Sequence, residues 1–168
     1  MLKRDPGIVA QAALTLNHIS NGRLKLGIGA GFGPDLRAFG VDVGQPATRV
    51  EEALIVLRGL MASSPQAPFS FQGRWNNLSD AFLNFPRVSP PPILVAAIGP
   101  RMLTLTRERA DGWLPFGLTP ELYAEFLDEA SGARDNFDAG LWLPTFIEKP
   151  GEDRSEEAEA TGRLYLSM

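Results

Sequence analysis

Seven residues, Pro92-Ile93-Leu94-Val95-Ala96-Ala97-Ile98, run without a polar side chain and stop at Gly99-Pro100. A strand that is apolar on both faces must be covered on both faces, the condition of a parallel sheet flanked by helices. The segments around it carry the matching pattern. Asp5 and Pro6 suit the cap and first position of a helix over about 6–20, in which Ile8, Ala12, Leu16 and Ile19 form one apolar stripe widened by Val9 and Ala13. Asn21-Gly22 ends it. Residues 24–29 read as a short strand, followed by a turn-rich loop over 29–34. Thr48 and Glu51 have capping-box spacing ahead of a helix over about 49–62, with Val50, Ala53, Leu54, Leu57 and Met61 on its buried face. After the apolar run come a helix over 101–110, a strand over 113–116 and a helix opened by Thr119-Pro120. A last strand over 141–147 and a terminal helix after Ser155 complete the order.

The order is therefore α-β-α-insertion-β-α-β-α-β-(α), an α/β chain with a parallel sheet and outer helices. Four strands and their helices are half of a (β/α)8 TIM barrel, which takes about 250 residues; this chain has 168. The reading is a partial barrel over 1–147 followed by an acidic tail over 148–168. The inward face is expected to carry Ile93, Val95, Ala97 and Leu141. Residues 63–92 differ in character. Pro65, Pro68, Pro86 and Pro90 to Pro92 break helix, while Phe69, Phe71, Trp75, Phe82 and Phe85 add aromatic bulk. Phe69 to Gln72 alternates and Gly73 suits a hairpin turn, so the segment is expected to be an insertion over the barrel rim.

Composition closes off several functions. The chain has no cysteine, which excludes disulfides, thiol nucleophiles and cysteine-ligated metal. His18 is its single histidine, so no multi-histidine metal site is expected. A net charge of −4 with pI near 5.0 argues against a nucleic-acid partner. No window holds 18 uncharged apolar residues. The start, Met1 to Pro6, leads into an amphipathic helix and not an apolar leader, so the expected compartment is the cytoplasm.

Gly27, Gly29, Gly31 and Gly33 suggest a dinucleotide loop but fail its spacing: the third glycine would fall on Phe32 or Pro34. They either relieve crowding at a strand end or let a planar ring approach the backbone. The strand-Gly99-Pro100-helix junction leaves the amides of Arg101 and Met102 at a helix N-terminus, where they can meet an anion or simply turn the chain. His18 stands where a cation favours the helix dipole. Asp35 either touches a ligand or caps a turn, and Asp111-Gly112 is expected to fix a turn. No acid pair suits glycoside hydrolysis and no Ser-His-Asp set is readable.

Several segments together resemble the luciferase-like monooxygenase family. They are Leu16 to Arg23, Leu26 to Gly31, Asp35 to Gly40, Arg49 to Arg58, Ala96 to Met102 and Ala110 to Trp113. Their order and spacing fit over residues 4–147. The resemblance implies an oxidoreductase that transfers hydride between a cofactor and a small organic substrate, with the protein orienting the reactants. The implied cofactor is the 8-hydroxy-5-deazaflavin coenzyme F-420, with FMN as the alternative. The implied cofactor-binding residues are Gly29, Ala30, Gly31, Asp35, Ala97, Ile98, Gly99 and Arg101. It further implies that residues 24–30 are the fourth barrel strand, with three strands before it and an eighth after the tail. Asn17 stands where aspartate is usual, Asp35 where glutamate is common, and Thr119 where some relatives place a basic phosphate ligand. Partners implied are a small-molecule substrate and either further copies of the chain or a complementing chain. The alternative is a non-catalytic remnant that only binds a ligand or partner.

Overall fold

The computed structural model describes residues 3–85 and 89–166. Met1 and Leu2 of the leader reading and Pro86 of the proline-rich segment lie outside them. The elements are α1 (Pro6–Ile19), β1 (Leu26–Gly29), α2 (Gly33–Ala38), α3 (Pro46–Ala62), β2 (Phe69–Gln72), β3 (Asn77–Ala81), β4 (Ile93–Ala96), α4 (Pro100–Arg109), β5 (Gly112–Trp113), α5 (Pro120–Ser131), β6 (Asp138–Ala139) and α6 (Ser155–Leu166).

One four-stranded sheet has the order β1-β4-β5-β6, every pair parallel. The expected neighbours pair as expected, but the last strand is displaced. It forms at 138–139, and the 141–147 segment contributes an isolated bridge from Trp142 to Phe116. Gly112 lets the Asp138 backbone approach β5 so closely that a methyl group there would sit 2.2 Å from the Asp138 carbonyl oxygen, and the ladder forms where that approach is possible.

Register also decides which face is which. Gly27 pairs with Leu94 and Gly29 with Ala96, and side chains alternate along a strand. Ile93, Val95 and Ala97 are buried with Val50, Leu54, Leu57 and Leu103 of the helical layer. They were expected to face inward. The inner face instead carries Gly27, Gly29, Ala96 and Leu114. A run that is apolar throughout holds no information about parity, so the helices settle it.

Helix α1 also turns opposite to expectation. Its buried residues are Pro6, Ala10, Ala13, Leu14 and Asn17, packed mainly on α3. The stripe read as buried is outside: Ile8, Leu16 and Ile19 are 69%, 54% and 70% exposed. Helix α3 starts three residues before the expected position. Pro46 takes its first turn, and Thr48 and Glu51 lie inside it, bonded to Arg101 and Arg109 and not to a cap.

The aromatic segment forms the antiparallel hairpin β2–β3, with Gly73 in its turn. It packs along α3 and not over the strand ends, because Gly59 leaves room for the Phe69 ring and the Glu52 carboxylate holds the turn. Among its described residues none lines the cavity at the strand ends.

Asn17 joins the end of α1 to the start of the sheet. Its amide donates to the Ser89 carbonyl at 2.8 Å and its oxygen accepts from the Leu24 amide at 3.3 Å. Asn17→Leu keeps the branched heavy-atom skeleton and removes both bonds, so we expect a loss of about 1–3 kcal/mol, measured by urea unfolding. An unchanged midpoint would show that water replaces both bonds.

Candidate active site

The parallel sheet ends its strands at one rim, where an α/β fold places its ligands. There β1 runs into Ala30-Gly31-Phe32, β4 into Ala97-Ile98-Gly99 and β5 towards Phe116. These segments enclose an open cavity of about 660 Å³, within the range of sites that take a cofactor-sized molecule. Its floor is small because Gly29 and Ala96 sit side by side in register. A methyl group on Gly29 would lie 3.1 Å from the Ala96 methyl. Gly31, at φ +89, turns the chain outward beneath Leu36.

The walls are fixed from behind. The Trp113 indole donates to the Ala97 carbonyl at 2.8 Å and stacks on Tyr123 with ring centres 5.0 Å apart. Asp111 ties the base of β4, accepting from the Ile93 amide at 2.7 Å and from Arg58 at 3.0 Å. The expected role was to fix a local turn; the side chain instead ties β5 to the start of β4 and to α3. On the far side Phe116 and Trp142 pack with ring centres 5.0 Å apart, and Trp142 stays 66% exposed.

Six of the eight expected site residues meet here: Gly29, Ala30, Gly31, Ala97, Ile98 and Gly99 all line the cavity. Two do not. Arg101 lies in the first turn of α4, where its guanidinium donates to the Thr48 hydroxyl at 2.9 Å. A hydroxyl acceptor on α3 draws it away from the rim. Asp35 is exposed in the short α2 and does not line the cavity. Thr119 caps α5, accepting from the Leu122 amide, and His18 sits edge-on to Phe85 at 5.9 Å. Trp142, Leu114 and Ala96 line the cavity without being expected site residues, and so does Met102, whose amide was read as a possible anion contact. Strand parity would have pointed to Ala96 and Leu114 once register was known.

Among the described residues, none that lines the cavity is Asp, Glu, Lys, Arg or His. Such a lining excludes water and orients apolar matter, and it offers no acid or base of its own. It fits the ring of a flavin or deazaflavin. Nothing lies within 4 Å of a methyl group built on Gly99, so a flat group can rest on the strand-end backbone. For an anionic arm the lining offers only the first-turn amides of α4, which Gly99 leaves without a side-chain cap.

The sequence profile of the luciferase-like monooxygenases matches residues 1–164. The chain belongs to the luciferase-like monooxygenase family. Among curated members it is 38% identical over 141 residues to the phthiodiolone/phenolphthiodiolone dimycocerosates ketoreductase of Mycobacterium tuberculosis, covering 82% of this chain and 36% of that one. It is 33% identical over 171 residues to the 5,10-methylenetetrahydromethanopterin reductase of Archaeoglobus fulgidus, covering 98% of this chain and 49% of that one. The chain thus spans no more than about half the length of these family members. Among solved structures, a secondary alcohol dehydrogenase dependent on coenzyme F-420 superposes with TM-score 0.71 at 24% identity, over 84% of this chain and 46% of that one. The coenzyme F-420-dependent tetrahydromethanopterin reductase of Methanopyrus kandleri gives 0.65 at 23% identity, over 83% and 46%. These likenesses establish the fold as part of the family's TIM barrel. No helix among the described residues is long and apolar enough to cross a membrane.

Proposed function

We propose that this chain carries the ring-binding half of an oxidoreductase that uses coenzyme F-420 and acts on a small, uncharged organic substrate. The observation that carries the reading is the cavity lined without charge, floored by glycine and alanine at the ends of β1 and β4. The names of the curated relatives, a ketoreductase and a reductase, support the reaction class. A bound deazaflavin supplies hydride transfer. The chain's own residues do the rest: Gly29, Gly31 and Gly99 leave room for a ring on the backbone, Phe116 and Trp142 wall it, and the apolar lining keeps water out. FMN is the second candidate, because its ring meets the same surface. The cytoplasm is the proposed compartment.

The test is Gly99→Val. Gly99 has an ordinary extended backbone and open space around its missing side chain, so valine disturbs only the helix cap, by about 1 kcal/mol. The fluorescence of coenzyme F-420 and of FMN is followed on titration with each protein. The parent should bind the deazaflavin more tightly than FMN, and the variant should lose at least about 10-fold in affinity with its melt nearly unchanged. Equal affinity in both proteins would remove Gly99 from the site. Absence of binding by the parent would leave this chain a non-catalytic remnant.

A further inference from the structure

We propose that Trp113 is a positioning residue of the cavity: it holds the Ala97 carbonyl so that the amide of Ile98 faces the cavity as a fixed donor to a bound coenzyme. The inference rests on the ring-binding reading above. Carbonyls of alternate residues in β4 face β5. The Ile93 carbonyl accepts from the Asp111 amide at 2.9 Å and the Val95 carbonyl from the Leu114 amide at 3.0 Å. The Ala97 carbonyl is next in that series. There β4 has ended, and the Trp113 indole takes the place of a backbone donor at 2.8 Å. The Ala97–Ile98 peptide is planar and trans, so the Ile98 N–H points the opposite way, towards β1. But β1 has ended too, at Gly29 opposite Ala96, and Gly31 turns the chain away. Among the described residues none accepts from the Ile98 amide. Ile98 is half-exposed and lines the cavity with Ala30 and Gly31.

A peptide beyond the end of its ladder is free to rotate, and rotation would turn this donor away from the cavity. The indole prevents it. A tryptophan N–H donates and never accepts, so it fixes the sense of the peptide as well as its place. Trp113 is fully buried, and its N–H would go unpaired if the carbonyl left, at the cost of an unmade buried bond. The stack on Tyr123 keeps the ring from swinging. The consequence is orientation. Apolar walls hold a flat ring without choosing its rotation, and a few placed polar groups make that choice. A donor fixed in advance loses no freedom when the ligand arrives.

Amide hydrogen exchange, followed by NMR on the full chain with coenzyme F-420 and FMN as probes, tests this. Without a probe, the Ile98 amide should exchange at least about 100-fold faster than the Leu114 amide, which is bonded to Val95. Binding of either coenzyme should slow the Ile98 amide at least about 10-fold. Trp113→Phe keeps an aromatic ring against Tyr123 and removes the donor, so it should weaken binding at least about 10-fold. Leu57→Ala truncates a buried core side chain away from the cavity. It should lower the melt at least as much and change the affinity less than about 2-fold. The exchange measurements need only the parent, so they decide the matter if Trp113→Phe does not fold. An Ile98 amide that exchanges as slowly as that of Leu114, or that stays unprotected under a bound coenzyme, would overturn the proposal. So would a Trp113→Phe protein that binds as the parent does, or an equal loss of affinity in Leu57→Ala. Those results leave the ring-binding reading standing, whereas a parent that binds neither coenzyme removes both.

Discussion

Gly112→Ala should cost about 3–5 kcal/mol and lower the melting temperature by roughly 10 °C. The added methyl would stand 2.2 Å from the Asp138 carbonyl oxygen and 2.9 Å from the Asp138 Cβ. Those atoms belong to the neighbouring strand and cannot swing aside as a side-chain tip can. To make room, β6 must leave β5 and give up the bonds from the Asp138 amide to Asp111 and from the Gly140 amide to Trp113. The damage reaches the cavity, because Phe116 and Trp142 continue from these strands. Gly99→Ala, whose methyl meets nothing within 4 Å, is the control and should cost under about 1 kcal/mol. Equal melts for the two variants would show that β6 is not held against β5 in solution.

Glu52→Ala should cost about 2–4 kcal/mol and loosen the hairpin. The carboxylate is 8% exposed. It accepts from the amides of Arg74, Trp75 and Asn76 at 2.8, 3.0 and 3.2 Å and from the Asn76 side chain at 3.3 Å. Burial alone would raise its pKa, but the hydrogen bonds from Arg74, Trp75 and Asn76 outweigh burial and hold it below the ordinary value of 4.5. A lowered folded value means that the carboxylate's contribution is fully present above the ordinary carboxyl range. It is lost as pH falls through the folded value. The gap in stability between the parent and Glu52→Gln should therefore be flat above about pH 5 and narrow below about pH 4. Urea unfolding at pH 7 and pH 3.5 measures it. A gap that widens in acid would mean that the turn is held by something other than the charged carboxylate.

Both predictions rest on contacts that the sequence alone did not show. Asp111-Gly112 read as a turn, and Glu52 lay within the Arg49 to Arg58 segment with no role of its own. What makes them sensitive is a neighbour far along the chain: Asp138 for one, residues 74–76 for the other. The six cavity residues that were legible share one property. They are glycine, alanine or isoleucine at the ends of strands whose boundaries glycine and proline mark locally. Arg101 and Asp35 were implied by the resemblance, and their positions at helix starts do not say which way their side chains turn.

The amino-acid sequence by itself determined the α/β class, the parallel order of four strands, the hairpin with Gly73 in its turn, and the glycine-marked strand ends that meet at the cavity. Each follows from local periodicity, caps and turn residues, which act within a few positions. The tertiary structure decided the rest. It turned Ile93, Val95 and Ala97 towards the helices, placed the last strand at 138–139, laid the hairpin along α3 and set the Ile8–Ile19 stripe outward. A run or helix that is apolar all round presents equivalent faces, and only the elements packed against it choose between them.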